Sequence, residues 1–164
     1  MAPIPDHPAP PLRVADVHLR GPAPRGRARV YWPCPDVPVA GGRRPALVVA
    51  FTPSSAAEGD APVDRLPDRV GAVVLAVAAA DVVAAHAALA WAADHAGELG
   101  ADPDRLAVVG VGSAAAVAER VVELAADEGW PPLRHVALVG PPDDPRTALD
   151  RLATALARPA GRVR

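Results

Sequence analysis

The chain has 164 residues, the size of one domain with a single core; 51% are hydrophobic and only 3% aromatic, so that core must be built mainly from Ala, Val and Leu. A formal net charge of −2 leaves no electrostatic footprint for nucleic acid or an anionic membrane. The single cysteine, Cys34, excludes an internal disulfide and a multi-cysteine metal site, and among its prolines it reads as incidental rather than reactive.

Residues 1–12 read as a disordered Pro-rich tail, with neither the basic nor the apolar region of an export signal, and residues 13–164 as one domain. The longest apolar stretch, 71–80, stops at Asp81 and is too short to span a bilayer, so the expected location is the cytoplasm. Strands are expected at 13–19 and 27–31, split by the turn Gly21-Pro22-Ala23-Pro24. A Pro/Gly loop from Trp32 to Arg44 leads into the apolar run 46–51, a strand buried on both faces. A polar loop from Thr52 to Asp60 and a short helical or irregular stretch at 61–70 precede a second buried strand at 72–77.

Asp81 is a candidate N-cap for a helix reaching Leu99, with Val82, Val83, His86, Leu89, Ala90 and Ala93 on its inner face and Gly100 as its C-cap. Asp102-Pro103-Asp104 turns the chain into a third buried strand at 106–109. From Ser113 to Glu128 the pattern is amphipathic, with Val117, Ala118, Val121 and Leu124 inward and Glu119, Arg120, Glu123 and Asp127 outward; Gly129 closes it. A strand at 134–140, buried beside the other three, and a helix at 147–157 complete the pattern. Strands alternating with helices imply a three-layer α/β/α fold around a mostly parallel sheet. The last helix must shield sheet that would otherwise lie bare, since an open edge would favour a homo-oligomer or a partner chain.

Two stretches resemble the α/β-hydrolase superfamily, within it the esterase/lipase group related to hormone-sensitive lipase. Trp91-Ala-Ala-Asp-His-Ala-Gly-Glu-Leu-Gly-Ala-Asp-Pro-Asp-Arg-Leu-Ala-Val-Val-Gly110 is similar to the helix, turn and strand that lead to the family's nucleophile. Ala28-Arg-Val-Tyr-Trp-Pro33, followed by Pro45-Ala-Leu-Val-Val-Ala-Phe51, resembles the strands that run into its His-Gly-Gly-Gly oxyanion loop. The resemblance implies the N-terminal half of an α/β-hydrolase fold.

At every functional position the chain departs from the family. The elbow motif Gly-x-Ser-x-Gly is replaced by Gly110-Val111-Gly112-Ser113-Ala114, which sets Gly112 where the nucleophile belongs. The turn is expected to persist, with positive φ at Gly112, because glycine occupies a strained elbow freely. Ser113 reads as a helix cap, since Val111 and Ala115 carry Cβ atoms where an elbow wants none. Thr52, Pro53, Ser54 and Ser55 stand in place of the oxyanion loop, and Pro53 has no N–H to offer; Gly59-Asp60 keeps the tail of that motif without chemistry.

The family's acid and His follow the nucleophile in a second half, and the sequence ends at Arg164 before such elements, which predicts a truncated member. His135 opens a strand at the wrong end of the sheet, about 17 Å from the elbow at ~3.3 Å per residue. His86 reads as a half-buried core residue, His95 as exposed, and His7 and His18 as remote from any constellation; Asp143 and Asp144 read as loop solvation.

The expected function is that of a non-catalytic esterase-related domain, a pseudoenzyme with no catalytic residue, cofactor or metal. An alternative is residual carboxylic-ester hydrolysis through Ser113. A second alternative reads Gly110-Val111-Gly112-Ser113-Ala114-Ala115 as a dinucleotide fingerprint, with Asp143 or Asp144 on the ribose.

Overall fold

A computed structural model of the chain describes residues 13–19, 26–39, 44–53, 62–79, 81–139, 150–154 and 156. In chain order these form β1 (Arg13–Leu19), β2 (Gly26–Trp32), β3 (Ala46–Thr52), a 3-10 turn at Pro62–Arg65 running into α1 (Leu66–Val70), β4 (Val73–Ala78), α2 (Val82–His95), β5 (Asp102–Val111), α3 (Ala114–Glu128) and β6 (His135–Val139). Residues 150–154 and 156 are helical as well. The tail at 1–12, the turn at 21–24 and the polar loop after Pro53 lie outside the described residues.

The strands form a 6-stranded sheet in the order β1-β2-β4-β3-β5-β6. β1 and β2 pair antiparallel, with Asp16 directly opposite Arg29 and its carboxylate 2.8 Å from Arg29 Nε. β2 meets β4 antiparallel, whereas β4, β3, β5 and β6 run parallel. The apolar runs along β3, β4 and β5 are those of strands covered on both faces. Alternation along β3 shows the layers: Leu47, Val49 and Phe51 pack with Ala85, Leu89, Ala118 and Val121 of α2 and α3. Ala46, Val48 and Ala50 pack on the other face with Val63, Leu66, Leu152 and Leu156. The architecture is therefore three-layered and mostly parallel, as the sequence pattern implies.

Several expectations are corrected. In α2 the buried residues are Ala85, Ala88, Leu89 and Ala92, while Val83 is 73% exposed, so the inner face is rotated from the expected one. The helix is so rich in alanine that its apolar periodicity is nearly flat. Ala96, not Gly100, caps α2; Gly100, with φ 77, closes the turn that follows. β5 begins at Asp102 rather than at 106, because the Asp102 N–H donates to Pro45 O at 2.8 Å and a bulge then absorbs Pro103 to Arg105. Inside that bulge Asp104 N–H donates to Asp102 Oδ1 at 3.0 Å. In β6, Val136 is 43% exposed rather than buried, since among the described residues β6 pairs only with β5. Gly129, with φ 69, does close α3.

The C-terminal helical residues are tied to the sheet at two points. Arg105 donates through an η-nitrogen to Leu156 O at 2.7 Å, and Arg69 pairs with Asp150. They cover the face opposite α2 and α3, not the edge beyond β6. No helix among the described residues is long and apolar enough to cross a membrane. Replacing buried Leu152 in a Leu152→Ala variant is expected to lower unfolding free energy by about 2–5 kcal/mol in urea titration. A loss below about 0.5 kcal/mol, the range of surface substitutions, would mean this helix does not cover the sheet.

Candidate functional site at the turn from β5 to α3

β5 and α3 approach so closely that Gly110 admits no side chain. A Cβ there would lie 2.6 Å from Ala118 Cβ and 2.8 Å from Ala115 Cα, both on the helix. Two residues later Gly112 takes φ +59, the left-handed backbone that reverses the chain into α3. The surroundings of Gly112 are open: a Cβ added there would meet only Pro53 Cγ, at 3.5 Å. Gly112 is thus held by backbone conformation and Gly110 by space.

Ser113 is exposed and precedes the first residue of α3, but its side chain makes no capping hydrogen bond. The expectation of a cap is corrected, and the backbone gives the reason. Ser113 is already helical at φ −64 and ψ −21, whereas a capping side chain needs an extended backbone to reach forward. Asp81 supplies the contrast: at φ −149 and ψ 165 its carboxylate accepts from Ala84 N–H at 2.8 Å, as expected of the N-cap of α2. At α3 the first turn is instead closed by Gly112 O, which accepts from Ala115 N–H at 3.1 Å.

Thr52 and Pro53 end β3 beside this turn. Thr52 O accepts from Ala79 N–H at 2.9 Å, which ties the ends of β3 and β4 together and leaves Pro53 half-buried against Gly112. That proximity joins two segments about sixty residues apart and carries no local signal in the sequence. Ser54, Ser55, Gly59, Asp60, Asp143 and Asp144 lie outside the described residues, as does His7.

The remaining histidines are dispersed. His135 pairs in register with Ala107, roughly five residues before the turn and about 17 Å away along the strand. His86 lies between α2 and α3 with its side chain 18% exposed; its Nε2 makes no hydrogen bond, although Glu128 Oε2 stands 3.5 Å away. His95 is half-buried rather than exposed, because it stacks on Trp91 at 4.3 Å and donates from Nδ1 to Trp91 O at 2.8 Å. His18 is exposed on β1. Cys34 is half-buried, and its backbone N–H donates to Asp68 Oδ1 at 2.6 Å. Among the described residues no three His, Cys, Asp or Glu side chains converge as a metal site would require.

A family model described as the alpha/beta hydrolase fold matches residues 50–160. Esterase LipI of Mycobacterium tuberculosis is 32% identical over 140 residues, which cover 76% of this chain and 42% of that protein. Among solved structures, an esterase of Pyrobaculum calidifontis superposes with a TM-score of 0.63 at 30% identity, covering 77% of this chain and 44% of its own. A thermophilic carboxylesterase cloned from a metagenomic library gives 0.62 at 31% identity, covering 77% of this chain and 46% of its own. The chain therefore spans less than half the length of these relatives.

Position by position, the turn makes three different demands. Gly112→Val is expected to lose about 1–3 kcal/mol through backbone strain, and Gly110→Ala about 1–3 kcal/mol through overpacking against Ala118. Ser113→Ala should stay within about 0.5 kcal/mol, because no cap is lost. Urea unfolding of the three variants measures all of this; a Ser113→Ala loss near 1 kcal/mol would restore the capping role.

Proposed function

The chain belongs to the α/β-hydrolase family, and from that premise we propose that it is a hydrolase-fold domain without ester-cleaving chemistry, acting as a scaffold or binding module. The observation that carries this reading is Gly112, left-handed at the apex of the turn where the family sets its serine. Without a hydroxyl there, no acyl-enzyme bond can form at the apex. Pro53, the neighbour of the apex, brings a ring and no N–H to the place of an oxyanion donor; loss of one such donor slows acyl transfer about a hundredfold to a thousandfold. The relatives named as esterases motivate the substrate class to be tested.

A second reading rests on the free hydroxyl of Ser113, which is exposed and unused as a cap. Against it, Ser113 lies one residue past the apex and already within helical backbone, flanked two residues away by Val111 and Ala115. The dinucleotide reading is weaker still, since a pyrophosphate fingerprint follows the first strand of its fold, and β1 to β4 all precede β5 in this chain.

Hydrolysis of p-nitrophenyl butyrate discriminates among these. The wild-type chain, Ser113→Ala and Gly112→Ser are all expected to match the buffer rate, because a lone serine at the apex remains a weak nucleophile. Wild-type turnover that disappears in Ser113→Ala, or turnover that appears in Gly112→Ser, would contradict the proposal. Calorimetric titration with NAD and NADP is expected to give no binding heat; micromolar binding abolished by Gly112→Val would favour the nucleotide reading.

A further inference from the structure

At the other end of the sheet, an open cavity of about 250 Å³ is lined by the chain before β3, by α1, by the start of β5 and by the C-terminal helical residues. Arg105 is level with the first residues of β3 and roughly seven residues before Gly112, about 23 Å along β5. This cavity is therefore separate from the turn between β5 and α3.

Its walls are partly apolar, from Val37, Val39, Val70 and Leu156, yet Asp68, Arg69 and Arg105 also line it. One of these three charges, that of Arg69, is neutralised by an ion pair. Arg69 pairs with Asp150, and the Asp68 carboxylate accepts the Cys34 N–H. Arg105 differs: it is half-buried, and its partners are two neutral carbonyls, Leu156 O at 2.7 Å and Arg44 O at 3.4 Å. No carboxylate among the described residues forms an ion pair with it. A half-buried guanidinium bonded only to neutral carbonyls keeps N–H donors for an anion, and its planar fork suits a carboxylate best.

We infer that this cavity is a binding site for a small carboxylate, its head on Arg105 and its alkyl body against Val37, Val70 and Leu156. The volume lies below the ~300–1,000 Å³ of pockets for drug-sized ligands, which limits the occupant to a short-chain acid. The site is independent of what Gly112 does, and its failure would leave the reading of the turn untouched.

Sodium butyrate, titrated into the folded chain and followed by amide chemical shifts, tests the site. Saturable shifts at Gly71 and Ala153 are expected, with Kd on the order of 1 mM. The neutral isostere butyramide and sodium chloride at equal ionic strength should produce none. Arg105→Gln should weaken butyrate binding at least about tenfold, the effect of losing a charged hydrogen bond. Ala153→Leu, which fills the cavity without touching Arg105, should abolish it in a folded protein. No saturable shift with butyrate, equal shifts with butyramide, or binding that survives Ala153→Leu would overturn the inference.

Discussion

The passage of the chain from β5 into α3 depends on two glycines with different physical duties. Gly110 lets the helix come close enough that any side chain there would collide with Ala118 and Ala115. Gly112 supplies a left-handed backbone that few L-residues adopt. With this contact made, Ala114, Ala118, Val121 and Ala125 seat α3 on the sheet, and α2 closes the layer beside it through Ala85, Ala88 and Leu89. Small alanine faces make so tight a layer workable, and they explain how a chain with few aromatic residues still buries a continuous core. Phe51 is the largest of its fully buried side chains.

That geometry separates fold from chemistry. A serine at the apex of such a turn would hold a strained backbone in exchange for an exposed nucleophile. Glycine adopts the same conformation without strain, so on the proposed reading the turn persists with no nucleophile at its apex. The neighbouring end of β3 follows the same logic: Pro53 stands beside the apex but offers no donor. Activity depends on the site rather than on the scaffold, and the proposal is that the scaffold is retained here around an altered site.

How far the residues alone disclose this varies along the chain. β3, β4 and the core of β5 were legible as unbroken apolar runs, and α3 as a stripe interrupted by Glu119, Arg120, Glu123 and Asp127. The inner face of α2 was not, because alanine on every side erases the period. Pro103 hid the early start of β5, since the bulge that accommodates it is a tertiary feature held by Pro45 O. At the turn, the register came from the resemblance and from Arg105-Leu106-Ala107. The failure of Ser113 to cap came from a backbone angle that residue type does not encode. The cavity at Arg105 was invisible for a further reason: its walls come from segments around 37–39, 68–71, 105 and 153–156, with no shared periodicity.

The central claim, a retained hydrolase turn without a nucleophile, is tested most directly by intact-mass spectrometry after incubation with a fluorophosphonate. The account predicts that the folded wild-type chain keeps its unmodified mass, because neither Gly112 nor the helical Ser113 presents an activated hydroxyl. A single stoichiometric adduct, mapped to Ser113 and absent from Ser113→Ala, would contradict it.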